Sequence, residues 1–458
     1  MLCCALAVGA TSCRPNTEPK TQCPEQRPSS QTVHRIDQEG RVLIHRGINV
    51  SNASKWAPDF LPPVETADYQ RMVDWGFTSI RFLVFWEAIE PMPGQYNQDY
   101  LDGVRAKVLL AADLGLDVLL DMHQDVYGRG FDHAGFPRWT CDEALYATYT
   151  APSQWFLGYF EPEVITCFER FWQSHDLQRA YAQAAAQVAQ AVADIPQVSA
   201  FEVINEPFWA SMEHEIFESQ YLQPFTETVA TAIGDVAPHM VLVAEPSVAN
   251  NIGVSPEFTS PFGCPTWQYA PHFYPPFTET GAGYSGDVTD LAQRFARLVY
   301  DAQQLGAPLA VTEYGMKVTD PGALLYYQDM ADIIETAWAS AWIWEYGPGG
   351  GFALVDANHQ PTELAAAFLR PWAHRIGGLP TATTWDATSE TYTLTWTSSS
   401  QSQGQSTIIV IPAQSYPQGY SVASSDPDGT WSVSSSGTRL IISPDPSNTT
   451  HGITITPM

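Results

Sequence analysis

The chain has 458 residues, more than one ordinary domain needs, and 45% of them are hydrophobic, enough for a large core and against global disorder. Its 21 Lys and Arg stand against 50 Asp and Glu, and the resulting net charge of −29 repels phosphate backbones and argues against a nucleic-acid partner. Aromatic residues make up 12%, with 15 Trp, a surplus that suits a sugar- or lipid-binding cleft as well as a large core.

Residues 1–12 form a short apolar run ending in small residues, without a basic start. That pattern suits a secretory leader, or a bacterial lipoprotein leader with Cys13 as the lipidated residue, and the expected location is secreted or anchored through Cys13. Residues 13–32 are rich in Pro, Ser, Thr and Gln and read as a flexible tether. Beyond the leader region, Cys141, Cys167 and Cys264 show no CxxC and no interleaved His, so no metal site is expected. Whether Cys141 and Cys167 pair in an oxidising compartment stays open.

From residue 33 strand-like runs alternate with helical ones. Strands are expected at 42–49, 79–86, 117–123, 200–205, 240–246, 268–274, 308–315 and 340–347. Helices are expected at 66–76, 100–115, 176–194, about 221–234, 288–304, 323–336 and 361–370, and a long insertion follows the third strand. Eight such units predict a parallel α/β fold closed as a (β/α)8 TIM barrel over 33–376, with its active site at the C-terminal strand ends. Residues 377–458 carry short β runs between Ser, Gly, Asp and Pro, and read as a C-terminal β-sandwich domain that braces the barrel.

The strand ends collect polar and aromatic residues: Arg81 on the second, His123 and Asp125 after the third, Asn205 and Glu206 after the fourth, His272 and Tyr274 on the sixth, Glu313 on the seventh and Trp344 on the eighth. Lys55 lies in the loop after the first. A carboxylate at the mouth of a core is costly unless it has a task, and two such glutamates suit double-displacement glycoside hydrolysis. Arg81 and the Tyr274 hydroxyl would hold Glu313 ionised as nucleophile. Glu206 would stay protonated beside that charge and act as acid and then base. Asn205 would bind the sugar 2-hydroxyl, and Trp344 would face the pyranose ring. This chemistry needs no cofactor.

Asn205-Glu206-Pro207, Glu313 in Thr-Glu-Tyr-Gly, and Arg81, His123, His272, Tyr274 and Trp344 in that order resemble glycoside hydrolase family 5. The resemblance implies that Glu206 is the acid/base, Glu313 the nucleophile, and the others substrate-binding residues. Within the family, RFLVFWEAIEPMPGQYNQDYLDGV and DMHQDVYGRG with GFPRWT are similar to the endoglycoceramidases. That likeness implies cleavage between glycan and ceramide, with Lys55 and Asp125 near the first sugar. A glycosphingolipid is then the expected partner, met near a membrane or micelle surface, and no obligate protein partner is evident. WFLGYF (155–160), CFERFW (167–172) and PFW (207–209) are the aromatic runs expected to form an apolar groove for the lipid. An exo-acting β-glucosidase on glucosylceramide or a steryl glucoside is the alternative enzyme, and a glycolipid-binding protein on an inactive barrel the alternative of another class. Glu245 lacks an adjacent Asn and is read as non-catalytic. Glu345 is expected to face the outer layer, because strand faces alternate, and His133, His175 and His214 are read as ordinary loop residues.

Overall fold

The computed structural model describes residues 32–56, 58–258 and 267–458. The leader, the tether up to residue 31 with Cys13, and Cys264 lie outside the described residues.

Eight parallel strand positions form the barrel: β1 Arg46–Val50, β2 Ser79–Val84, β3 Asp117–Met122, β4 Val198–Glu202, β5 Val241–Ala244, β6 in two pieces, Trp267–Tyr269 and His272–Phe273, β7 Ala310–Tyr314 and β8 Ser340–Ile343. Each pairs with the next, and β8 returns to β1. The first piece of β6 pairs with β5 and the second with β7. The break falls at Pro271, which has no N–H to give a ladder. The connecting helices start and stop on local signals. Asn97, Ser174 and Asp287 accept backbone N–H groups at the starts of Gln98–Asp113, His175–Val192 and Val288–Leu305. Gly306 ends the last of these in the left-handed conformation.

Three expectations need correction. The expected strand at 42–49 is two: Val42–Leu43 pairs with Trp372–Ile376 in the second domain, and only β1 enters the barrel. Trp372–Ile376 itself, placed inside 33–376, belongs to that second domain's sheet. The expected final helix at 361–370 is a 3-10 turn, Glu363–Phe368, because Pro361 and Pro371 bracket the segment and disfavour helix before them.

Alternation along the strands layers the barrel interior. Leu119, Ala200, Val243, Ala270, Ala310 and Trp342 pack together as an apolar floor. Trp342 lies so close over Gly47 that a Cβ there would sit 2.0 Å from its indole. Two residues further along each strand the same face carries Asp121, Glu202, Glu245, His272 and Trp344. β7 breaks the count. Its pairing with β8 runs Val311 to Ala341 and then Tyr314 to Ile343, so β7 holds one extra residue. That bulge brings Glu313, three residues after Ala310, onto the interior face.

The second domain is two packed antiparallel sheets. The five-stranded sheet orders Val42–Leu43, β9 Trp372–Ile376, β12 Thr407–Val410, β15 Arg439–Ser443 and β14 Ser432–Ser436. The four-stranded sheet orders β10 Leu379–Asp386, β11 Thr391–Thr397, β16 Thr450–Pro457 and β13 Tyr420–Ser424. Trp372, Leu394, Trp396, Ile409, Ile442 and Ile455 are buried between them. This domain touches the barrel at the turns that enter β2 and β3: Trp372 Nε1 donates to Gly76 O at 3.0 Å and Arg439 Nη2 to Gly115 O at 2.8 Å. Those turns lie on the face opposite the C-terminal strand ends, so the contacts brace the floor.

Candidate active site

Arg81 is fully buried at the centre of the mouth. Its Nη1 donates to Glu313 Oε1 at 2.6 Å and to Asn49 Oδ1 at 2.9 Å. Its Nη2 donates to Asn205 Oδ1 at 2.8 Å and lies 3.1 Å from Asp121 Oδ2 and 3.5 Å from Glu245 Oε1. Its Nε donates to Glu202. Burial alone would make this charge costly, but Asp121, Glu202, Glu313 and Glu245 outweigh it and hold the guanidinium charged. Glu202, Glu245 and His272 converge with ligand atoms within 4.8 Å of one another, and Arg81 already places its positive charge against the two carboxylates.

The two expected catalytic glutamates meet across His272. Its Nδ1 lies 3.0 Å from Glu206 Oε1 and 3.7 Å from Glu313 Oε2, so those oxygens are at most 6.7 Å apart, the sum of the two distances. This bound admits the roughly 5–5.5 Å carboxyl spacing of retaining glycosidases. Tyr274 donates its hydroxyl to Glu313 Oε2 at 3.0 Å. Burial would raise Glu313, but the charges of His272 and Arg81, with His123 and Lys55, hold it below the usual carboxylate range. Glu206 receives Asn251 Nδ2 at 2.9 Å, and its backbone takes a left-handed φ of 45°. The Gln124 amide holds that turn by donating to Asn205 O at 2.9 Å and Glu206 O at 3.0 Å.

The remaining expected residues form one wall. Lys55 Nζ pairs with Asp125 Oδ2 at 2.7 Å and sits 4.5 Å from the Trp344 ring centroid. His123 stacks on Trp344 at 5.9 Å and meets Asp121 Oδ2 at 2.7 Å through Nδ1. Burial and Lys55 oppose a charge on His123, but Asp121 and Asp125 prevail and raise it. All ten residues singled out from the sequence thus lie at one mouth. Asp121, Glu202, Asn49, Asn251 and Gln124 were missed. The signal for Asp121 and Glu202 was parity: each sits two residues from a floor residue, on the face of a strand that must neutralise Arg81.

Glu345 corrects an expectation. It lies buried in the cleft and accepts the Asn52 backbone N–H, and burial holds its carboxyl up to about 7. β8 ends at Ile343, so strand alternation no longer governs Glu345. Glu245 also lies in the network, against Arg81, His272 and the Glu206 amide. His133 lines the cleft beside Trp155 rather than standing apart from it.

The cleft holds about 660 Å³ and is lined by both carboxylates and by an aromatic lip. Trp155 is 47% exposed, Phe160 57% and Ile252 78%, and Trp56 and Phe156 join them. Phe208 and Trp209 line the cleft between the lip and Glu206. The expectation for CFERFW fails: Phe168, Phe171 and Trp172 are buried in the core and pack the insertion onto the barrel. Cys141 and Cys167 form a disulfide within that insertion, with Cα atoms 5.5 Å apart.

The family model described as Cellulase (glycosyl hydrolase family 5) matches residues 36–350, and that described as Glycoside hydrolase family 5 C-terminal domain matches residues 370–456. Endoglycoceramidase I of Rhodococcus hoagii (strain 103S) is 24% identical over 437 residues, 89% of this chain and 84% of that protein. The solved structure of endo-glycoceramidase II from Rhodococcus sp. in its ganglioside GM3 complex is 27% identical with a TM-score of 0.84, covering 93% of this chain and 100% of that one. The same enzyme as a lactosyl-enzyme intermediate is 28% identical, with a TM-score of 0.81 and coverage of 93% and 100%. Matched by the first model over more than half its length and by the second over its last domain, this chain belongs to glycoside hydrolase family 5 and is a retaining glycoside hydrolase.

Proposed function

We propose that this enzyme hydrolyses the β-linkage between glycan and ceramide in glycosphingolipids, in endo fashion, by double displacement. Glu313 attacks the anomeric carbon while Glu206 gives its proton to the ceramide oxygen, so the glycosidic bond breaks and a glycosyl ester forms on Glu313. Water then gives a proton to Glu206 and attacks the same carbon, which frees Glu313 and releases the glycan with its configuration retained. One N–H of the Asn205 amide donates to Gln124 O at 3.1 Å, and the other is assigned to the sugar 2-hydroxyl. Trp344 and the Lys55–Asp125 pair are assigned to the first sugar.

One observation carries this reading: the two carboxylates bridged at His272 share their cleft with buried Phe208, two residues beyond Glu206, and with the exposed aromatic lip of Trp155, Phe156 and Phe160. An apolar lip on the leaving-group side suits a lipid aglycone. The GM3 complex and lactosyl-enzyme intermediate of the Rhodococcus relative support both substrate class and covalent step. The test is incubation with gangliosides, lactosylceramide, glucosylceramide and galactosylceramide, followed by analysis of sugar and lipid products. Intact oligosaccharide together with ceramide is expected; free glucose alone means an exo-acting β-glucosidase and overturns the endo reading. Trapping with a 2-deoxy-2-fluoro glycoside is expected to label the Glu313 peptide.

We also propose export, secreted or anchored through Cys13, a reading supported by the apolar start of the chain and the Cys141–Cys167 disulfide. Lipid labelling that survives Cys13→Ser would exclude the Cys13 anchor.

A further inference from the structure

Behind the catalytic pair stands a third carboxylate that the double displacement does not use. Glu245 follows β5, and its Oε2 accepts the Glu206 backbone N–H at 3.0 Å. Its Oε1 lies 3.3 Å from His272 Nε2 and 3.5 Å from Arg81 Nη2. The opposite nitrogen of the same imidazole is the one that reaches Glu206 at 3.0 Å and Glu313 at 3.7 Å. His272 thus stands between Glu245 on one side and both catalytic carboxylates on the other. Glu206 meanwhile keeps a φ of 45°, a conformation that residues other than glycine hold only when their surroundings fix it.

We propose that Glu245 is a positioning residue for the acid: it pins the Glu206 backbone and cancels the charge of His272, so that Glu206 keeps the proton it must deliver. This rests on the assignment of Glu206 as acid/base. An imidazolium beside a carboxyl group draws the proton off it, and a carboxylate on the far side of the ring offsets that pull. Burial raises Glu245 well above the usual carboxylate range against the pull of His272, and Glu202 adds to the rise. Burial opposes a charge on His272, but Glu245 and Glu313 raise it well above the usual imidazole value. The imidazole and the carboxylate titrate as one unit, in which Glu245 as carboxylate offsets an imidazolium at His272 across the 3.3 Å between them.

The arrangement also fits the second half of the reaction. Once Glu313 is an ester it no longer offsets His272, and the imidazole's charge then weighs more on Glu206. That is the moment at which Glu206 must be a carboxylate to accept the proton of water. The other groups facing the unit are Arg81, Asp121, Glu202, Glu313 and Tyr274, with the Tyr181 phenol close to Glu245 and the Tyr159 phenol close to Glu206.

Glu245→Gln keeps an acceptor for the Glu206 amide and removes the charge together with the acceptor that faces His272 Nε2. The measurement is kcat/KM against pH with a phenyl β-glycoside, whose departure needs an acid, and with a 2,4-dinitrophenyl β-glycoside, whose departure does not. The alkaline limb for the phenyl substrate is expected to move roughly 1–2 pH units lower, with no such shift for the dinitrophenyl substrate. An alkaline limb that stays in place, or moves higher, overturns the inference. Glu206→Gln separates the two failures: if it retains the alkaline limb with the phenyl substrate, the acid/base assignment itself falls. Should Glu245→Gln fail to fold, nitrogen-15 NMR of the histidines in the wild-type enzyme decides. His272 is expected to carry protons on both nitrogens across the active pH range, and a neutral ring there overturns the inference.

Discussion

Arg81 carries the electrostatic burden of the mouth: one guanidinium faces Asp121, Glu202, Glu245 and Glu313, and without it only the histidines His272 and His123 and the more distant Lys55 would oppose their mutual repulsion. Tyr274 has the narrower task of donating to Glu313 Oε2. A nucleophile must be ionised, so the acidic limb of kcat/KM tracks protonation of Glu313. Removing a donor to the carboxylate favours its protonated form and moves that limb to higher pH. Tyr274→Phe is expected to raise the acidic limb by roughly 0.5 unit, because the charges of His272 and Arg81 remain. An unmoved limb in a pH–rate profile would remove Tyr274 from this role. At this scale the sequence was informative wherever a residue stood at a strand end beside a chemical partner, as Asn205 and Glu206 do. It was silent on Asn251, which reaches Glu206 from the loop after β5, because no periodicity ties a loop side chain to the end of the neighbouring strand.

The elements explain which expectations held. Alternation located the interior faces, and the floor residues follow it strand by strand. It failed at Glu345, where the strand had ended, and at Glu313, where the bulge in β7 shifts the count by one residue. The insertion divides in a way its composition hides. The helix Pro162–Gln173 turns Phe168 and Phe171 into the core, whereas the 3-10 turn Trp155–Phe160 leaves Trp155 and Phe160 at the lip. An aromatic count cannot separate those outcomes, since helical spacing alone decides which ring meets the barrel. Replacing both Trp155 and Phe160 by Ser is expected to raise KM for a ceramide-bearing substrate about tenfold, the equivalent of about 1.4 kcal/mol of lost apolar burial. A soluble aryl glycoside should be affected far less. Equal KM changes on both substrates would show that the lip serves the sugar instead.

Across the whole molecule, the C-terminal domain and the barrel share one polar and apolar seam. Arg46 of β1 lies 4.9 Å from the Trp372 ring centroid, and its Nη2 pairs with Glu335 at 2.6 Å. Arg370, at the join, pairs with Asp332 at 2.7 Å and Glu335 at 3.0 Å. Ending the chain at residue 370 would uncover Val42, Ile44 and the barrel floor, and leave the Val42–Leu43 strand without its partner. The truncated protein is expected to aggregate or unfold well below the intact enzyme in a thermal melt. An unchanged Tm with full activity would mean that the domain is a passenger. The presence of a separate β domain was legible in the loss of helical period after residue 376. Its claim on residues 42 and 43 was not, because a strand pair separated by some 330 positions leaves no local mark.

That claim has a consequence for how the protein is made. The ribosome delivers Val42–Leu43 and β1 early, yet their partners, β8 and Trp372–Ile376, emerge roughly 300–330 residues later. At about 5–20 residues per second, the Val42–Leu43 strand and the outer edge of β1, whose other edge meets β2, wait for these partners for roughly 15–65 seconds. Closing the ring and completing the sandwich are then neighbouring events at the end of translation, and no finished half-enzyme precedes them. A chain stalled before residue 340 would present two open sheet edges, the kind of surface that chaperones hold and proteases clear.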